Sequence, residues 1–381
     1  MKKNLFKGVA ILPIALALAI TTGCATNTEA QSTAVSATSG TTTVVSTPAP
    51  EKKRAKKNLP TVAILATGGT IAGTGAEGKS TNYKPGQLNV EALAEAAKLS
   101  DVANVHGEQI CNINSDDITS EIWLQIANRI NKLAKDSSVS GFVITHGTDT
   151  LDETAYFLNL VLKTDKPVVV TGSMRPSTAI SADGPLNLHQ SVALASNPSA
   201  KGKGVMAVIS DRIYGARDIR KINTFNVNAF NSGDYGCMGY VIDDNVLFYS
   251  QPVKKHTVNT EFNVSNLKTL PKVAVLYFNV DTDGSIIDYY AQKGYKGIVI
   301  AGAGSGEYSV SWKEAIARHP EMIVVRSTRV GSGYVSASDD YDIANVLRCD
   351  DLQPQKAAVL LRLALTKTSK KAEIQKIFDK Y

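Results

Sequence analysis

From residue 61 onward the chain alternates between two hydrophobic patterns. Short, continuous runs rich in Val, Ile and Ala recur at Thr61–Leu65, Phe142–Thr145, Pro167–Val170, Val205–Ile209, Lys272–Phe278, Gly297–Ala301 and Met322–Val325. Runs of that length, apolar on both faces, are the pattern of strands buried between two layers, as in a parallel sheet. Between them the spacing changes to the helical period. Over Ser120–Ala134, Ile122, Ile126, Ile130 and Leu133 fall on one face, and Leu151–Leu162 opens with Asp152 and Glu153, where a helix dipole favours carboxylates. Pro354–Thr366 and Lys371–Tyr381 are also helical in pattern. This alternation predicts an α/β fold with two domains. The larger, N-terminal one has a parallel-type sheet covered by helices, and the smaller C-terminal one is also α/β. The polar, strand-poor stretch Ser250–Leu270, closed by Pro271, divides them, so the domains are expected at 59–255 and 272–381 with a linker at 256–271.

The first 58 residues follow neither pattern. Met1–Lys7 is basic and Gly8–Ile20 is an apolar segment of signal-peptide length, too short to span a bilayer comfortably. It ends in Thr21-Thr22-Gly23-Cys24, which is similar to a bacterial lipobox, where the cysteine is lipidated and becomes the mature N-terminus. Thr21 stands where a lipobox usually has an aliphatic residue, and ordinary cleavage after Gly23-Cys24-Ala25 is the alternative. Residues 1–24 are therefore expected to be an export signal, with Cys24 the candidate lipidation site. Residues 25–58 are Ser/Thr/Ala-rich and then basic, with too few large apolar side chains to repay the entropy of ordering, and read as a flexible stalk.

Charge changes the picture only once it is located. The net +6 of the 381 residues is carried by Lys2, Lys3, Lys7 and the run Glu51–Lys57, less the one charge of Glu29, so that the chain from Asn58 onward is formally neutral. A basic tether fits this distribution, and a nucleic-acid partner does not. Beyond the leader only Cys111, Cys237 and Cys349 remain, enough for one disulfide at most. The five histidines include no pair at ligand spacing and there is no Cys-x-x-Cys, so neither a metal nor a cofactor is expected.

Ligands of parallel sheets gather at the carboxyl ends of strands, which draws attention to two loops. Ala66-Thr67-Gly68-Gly69-Thr70-Ile71-Ala72-Gly73 follows the first apolar run, and Thr145-His146-Gly147-Thr148-Asp149-Thr150 completes the second. Each offers a threonine hydroxyl beside glycines that permit close approach. A competing pattern overlaps the first loop. Gly73-Thr74-Gly75-Ala76-Glu77-Gly78-Lys79-Ser80 fits the Walker A spelling, and Gly73, Gly75 and Gly78 fit the dinucleotide fingerprint. A phosphate loop must leave a strand directly and open a helix. Here the strand ends near Leu65 and Thr81-Asn82-Tyr83-Lys84-Pro85-Gly86 reads as a turn, so a surface loop is the expected outcome.

Taken together, the two threonine loops resemble the paired signature of bacterial-type L-asparaginases. The similarity runs from about Pro60 to Tyr381, through Gly172-Ser173-Met174-Arg175-Pro176 and Ser181-Ala182-Asp183-Gly184-Pro185-Leu186-Asn187. With the export signal, the resemblance is to the exported, type II branch. It implies hydrolysis of L-asparagine, and often L-glutamine, to the amino acid and ammonia, in a homotetramer with sites at subunit interfaces. It also implies roles: Thr70 as nucleophile with Tyr83 beside it, Thr148 and Asp149 with Lys221 as a second constellation, and Ser115 as the binder of the substrate carboxylate. Asp149 would also grip the substrate ammonium; its alternative is an N-cap for Leu151–Leu162, since an aspartate just before a helix is a common cap.

Several positions depart from the family pattern. Asp116 stands where Gln or Glu is usual, placing the substrate preference in question. Asp281 occupies the position of an asparagine donated by a neighbouring subunit, no glutamate lies near Ser336-Ala337-Ser338-Asp339-Asp340, and Thr164 replaces one cysteine of a disulfide found in some relatives. A glutaminase-asparaginase is the near alternative. A non-catalytic amino-acid-binding lipoprotein is the alternative of a different class, and it would not need both Thr70 and the Thr148/Lys221 pair.

Overall fold

The computed structural model describes residues 58–343 and 345–381. The expected export signal, Cys24 and residues 25–57 of the expected stalk lie outside the described residues.

All seven apolar runs form parallel strands. In chain order the strands are β1 (Thr61–Gly68), β2 (Asn104–Ile113), β3 (Val139–Thr145), β4 (Val168–Thr171), β5 (Val205–Ile209), β6 (Arg212–Gly215), β7 (Arg220–Lys221), β8 (Phe230–Asn231), β9 (Gly239–Ile242), β10 (Asn245–Phe248), β11 (Val273–Tyr277), β12 (Gly297–Gly302), β13 (Ile323–Thr328) and β14 (Val346–Arg348). The helices are α1 (Val90–Ala96), α2 (Ser120–Leu133), α3 (Leu151–Val161), α4 (Gly184–Ser196), α5 (Ser285–Gln292), α6 (Val310–Ala317), α7 (Pro354–Ala364) and α8 (Lys371–Lys380). The large N-terminal sheet runs β10-β9-β6-β5-β4-β3-β1-β2 and the smaller, all-parallel C-terminal sheet runs β11-β12-β13-β14.

The period-two geometry of a strand sorts the core into layers. Val62, Ile64 and Ala66 face one apolar cluster together with Leu93 of α1 and Leu188 and Val192 of α4. Ala63 and Leu65 face the opposite one, built from α2, α3, α7 and α8, and Val299, Val325 and Leu347 of the C-terminal sheet reach the same cluster. The other face of that sheet packs on α5 and α6 through Ile287, Trp312 and Ile316. One core therefore joins the two sheets, with α3 and α7 in the middle. In α2, Ile126 and Ile130 are buried and Ile122 and Leu133 lie against the same cluster, as the helical spacing predicts. Residues 256–271 hold one short 3-10 turn, Thr257–Asn259, and anchor Phe262, Val264 and Leu270 in that core.

The N-terminal sheet departs from the parallel-type expectation at one edge. β6, β9 and β10 are antiparallel to their neighbours. Two of the three reversals, β5 to β6 and β9 to β10, come from two-residue turns, Ser210-Asp211 with φ of 51° and 67°, and Asp243-Asp244 with φ of 46° and 65°. Two successive left-handed residues match the twist of a hairpin, and aspartate is among the few side chains that tolerate them. At the opposite edge β2 alternates exposed and half-buried residues. Cys111, Cys237 and Cys349 are free thiols.

Candidate active site

Three neighbouring parallel strands, β2, β1 and β3, end side by side, and their following loops carry Ser115, Thr70 and Thr148. All three hydroxyl residues are buried. Thr70 opens a short 3-10 turn directly after Gly68 and Gly69, both at positive φ. A Cβ on Gly69 would lie 2.4 Å from the Cα of Gly147, so the two threonine loops meet backbone to backbone. Gly147 in turn leaves room for Ser115, whose Oγ would lie 2.7 Å from a Cβ there.

The Thr70 hydroxyl shares a 2.7 Å hydrogen bond with the Tyr83 hydroxyl. Tyr83 arrives on a hairpin in which Thr74 and Lys84 pair in both directions, at 3.0 and 2.8 Å. The hairpin is tied to residues 177–178 by bonds from Ser177 to Gly73 O and from the Gly75 amide to Thr178 Oγ1. Tyr83 also explains two of the glycines that spell a phosphate loop, and the third, Gly78, sits at φ 75°. A Cβ on Gly73 would lie 3.0 Å from Tyr83 Cδ2, and one on Gly75 3.0 Å from Tyr83 Cβ. Small residues are required because the tyrosine lies across them. No helix opens on this loop, α1 begins only at Val90, and Lys79 is exposed.

The second constellation is equally compact. Lys221 Nζ donates to Thr148 Oγ1 at 2.9 Å and to Asp149 Oδ1 at 2.7 Å. The lysine side chain is 17% exposed and the aspartate 59%. The Asp149 amide donates to Ser115 Oγ at 3.2 Å, and Thr150 Oγ1 to Ser115 O at 2.7 Å, so the β3 loop is laced to the β2 loop. The capping alternative for Asp149 is replaced by this arrangement, since Thr150 occupies the N-cap of α3 and makes no side-chain cap bond.

Asp116 sits on the exposed side of the Ser115–Asp117 turn. Asp281 lies on an exposed turn after β11, at φ 65°, and among the described residues makes no hydrogen bond or ion pair with the site loops. Asp339 and Asp340 are exposed as well.

Two polar supports escaped the reading of the sequence. His146 is fully buried, which pushes its imidazole down to about 4, and it is neutral at ordinary pH. Its Nδ1 donates to Gly147 O at 2.7 Å, Nε2 accepts from Thr154 Oγ1 at 2.9 Å, and that hydroxyl accepts from Trp123 Nε1 at 2.8 Å. This relay fixes the glycine on which Ser115 and the Thr70 loop both rest. Asp183 does the same behind β4, accepting from the Met174 and Arg175 amides, each at 2.9 Å.

Two family profiles match this chain. "Asparaginase, N-terminal" covers residues 61–254 and "Glutaminase/Asparaginase C-terminal domain" covers residues 272–378. The chain belongs to the asparaginase family. As an asparaginase it is an amidohydrolase, and its relatives span both names the profiles carry. L-asparaginase 2 of Bacillus subtilis is 49% identical over 86% of this chain and 88% of its own. Glutaminase-asparaginase of Pseudomonas fluorescens is 43% identical over 86% of this chain and 92% of its own. The crystal structure of a probable cytoplasmic L-asparaginase from Campylobacter jejuni superposes with a TM-score of 0.83 at 47% identity, over 84% of this chain and all of its own.

Proposed function

We propose that this asparaginase hydrolyses the side-chain amide of free L-asparagine to L-aspartate and ammonia, with Thr70 as nucleophile. The observation that carries this reading is the 2.7 Å hydrogen bond between Thr70 Oγ1 and the Tyr83 hydroxyl, which orients the attacking oxygen and offers its proton an acceptor. Thr70 Oγ attacks the amide carbon, the C–N bond breaks, and the departing nitrogen takes a proton and leaves as ammonia. Water then splits the acyl-threonine ester, releasing aspartate and restoring the hydroxyl. Thr148 Oγ1 accepts from Lys221, so its own hydrogen is free to move toward the substrate. Ser115 Oγ holds the α-carboxylate. Asp149, with one oxygen on Lys221 and its side chain largely open to solvent, holds the α-ammonium.

L-Glutamine is the second substrate on this reading, as the likeness to a glutaminase-asparaginase suggests, and Asp116, one methylene shorter than the usual Glu, is the residue that puts the preference between the two amides in question. We further propose a homotetramer in which Asp281 of one subunit approaches the site of another, domain limits at 59–255 and 272–381, and export to the periplasm with Cys24 as lipid anchor. Fractionation of cells expressing wild type and Cys24→Ala checks the last point: the anchor is refuted if both leave the membrane fraction alike. The catalytic reading is tested by ammonia release from L-asparagine and from L-glutamine, beside Thr70→Ala. The expected result is release that vanishes in the variant. Unchanged release by Thr70→Ala would refute the nucleophile.

A further inference from the structure

The turn that delivers Lys221 rests on a cation from α7. Residues 216–219 join β6 to β7, and the amides of Asp218 and Ile219 both fold back onto Gly215 O, at 3.1 and 3.0 Å. The carbonyls of Ala216, Arg217 and Ile219 converge on a single ammonium. Lys356, in the first turn of α7, is fully buried, and its Nζ donates to Ala216 O at 3.0 Å, to Arg217 O at 2.7 Å and to Ile219 O. Three ammonium hydrogens meet three acceptors, so the donor capacity of the group is exhausted on this one turn.

A lysine in this position is expensive for the fold. Burial disfavours its charge and pulls it down to about 8, and a cation in the first turn of a helix opposes the helix dipole. Asp152 on α3, with Asp218 and Asp351, compensates, while Arg217 adds a like charge. The Tyr156 ring lies 6.0 Å away. A methionine would fill the same space without the desolvation penalty, so packing alone does not account for a lysine here.

The local architecture shows what the cation is needed for. β7 is two residues long and pairs only with β8, outside both main sheets. The register of a main sheet therefore does not hold Lys221 in place. From its outer side the turn is gripped through Arg217, whose guanidinium meets Asp351 at 2.5 and 3.2 Å and Tyr381 O at 2.5 Å. The Ala216 amide ties the start of the turn to Val205 O of β5 at 3.0 Å, and from beneath the ammonium of Lys356 holds the carbonyls of Ala216, Arg217 and Ile219. We propose that Lys356 is a positioning residue for the reaction: by clamping the carbonyls of Ala216, Arg217 and Ile219 it fixes the base from which Lys221 reaches Thr148 and Asp149. The inference rests on the role given above to Lys221, and it makes the C-terminal half of each chain a structural part of that chain's own site.

The test is Lys356→Met in the full chain, with folding followed by near-ultraviolet circular dichroism. Steady-state kinetics on L-asparagine are measured beside the rate at which an amine-acylating reagent labels Lys221, read by peptide mass mapping. A displacement of Lys221 by about 1 Å is expected to lower kcat on the order of 100-fold. KM stays within about threefold, because Ser115 and Asp149 are still present. Lys221 is labelled faster than in wild type. A folded Lys356→Met variant with wild-type kcat and wild-type labelling of Lys221 overturns the proposal. If the methionine variant does not fold, Lys356→Gln is used instead: one atom shorter and with two N–H donors for three carbonyls, it leaves at least one carbonyl unheld, so a smaller loss of kcat with faster labelling of Lys221 is expected, and wild-type values of both overturn the proposal. The labelling needs no turnover. A wild type that released no ammonia would defeat the catalytic reading while leaving the clamp to be judged by Lys221 reactivity alone.

Discussion

Glu153 offers a quantitative check on the electrostatics beneath the site. It lies in the first turn of α3, where burial first, and the neighbouring Asp152 second, push its carboxyl from 4.5 up to about 7, against the pull of Arg362 and Lys356. The folded protein thus keeps a proton that the unfolded chain has already released. The penalty is absent below pH 4.5, grows as pH rises through the window from 4.5 to 7, and is complete above it. At about 1.4 kcal/mol per unit, the separation amounts to about 3 kcal/mol. Glu153→Gln replaces the neutral acid with a neutral side chain of the same shape, so the variant is expected to match wild type near pH 4.5 and to exceed it by about 3 kcal/mol near pH 8. Urea unfolding followed by tryptophan fluorescence measures both, since Trp123 is bonded to Thr154 of α3. His146 acts in the opposite sense: its buried imidazole contributes stability above 6.5 that is lost as pH falls toward 4. Both proteins contain His146, so the difference between them isolates Glu153. A gap that does not change with pH, or a variant less stable than wild type at pH 8, would refute the reasoning.

Two further substitutions probe the geometry of the loops. Gly147→Ala places a methyl group 2.7 Å from Ser115 Oγ and 2.8 Å from its Cβ, and overpacking of that kind costs about 1–3 kcal/mol. The expected outcome is a fall in kcat/KM carried mainly by KM for L-asparagine, measured by steady-state ammonia release; an unchanged KM would count against Ser115 as carboxylate binder. Tyr83→Phe removes the hydroxyl bonded to Thr70 and keeps the ring across Gly73 and Gly75. It is expected to lower kcat by roughly 100-fold with the fold intact, and a variant within about twofold of wild type would remove Tyr83 from the chemistry.

Seven of the parallel strands were legible because burial on both faces leaves a continuous apolar run, a signal that survives without knowledge of partners; β14, only three residues long, was not. Nor was the antiparallel edge. Its strands are four residues long and its turns are Ser-Asp and Asp-Asp, with no glycine to mark them. β2 was missed for a related reason, since an edge strand half open to solvent carries polar residues along most of its length. At the site, Thr70, Tyr83, Ser115, Thr148, Asp149 and Lys221 were named from the two threonine loops and the family likeness. The structure pairs Thr70 with Tyr83 and ties Ser115, Thr148, Asp149 and Lys221 into one hydrogen-bonded group. Asp116 and Asp281 it leaves exposed and unconnected to these groups within the chain. His146 and Lys356 had no local signature, because what distinguishes them is the burial of a polar group, and burial is a property of the assembled layers. A lysine within Pro354–Thr366, read by itself, belongs to the solvated face of an amphipathic helix.

The core shared by α3 and α7 also has consequences for how the molecule comes into being. The ribosome makes the three site loops and the N-terminal sheet long before it makes residue 356, and until α7 and the C-terminus emerge the flank of α3 that carries Asp152 and Tyr156 lacks its contacts with Gln355, Lys356 and Tyr381. A nascent chain at that stage exposes apolar surface and cannot complete its core, which is the condition under which chaperones bind and aggregation competes with folding. Native contacts this distant in sequence also slow folding, because a long loop must close before any of them forms. Catalytic competence would thus arrive late in synthesis, in a single step with the docking of the last helices, rather than growing as the loops are made.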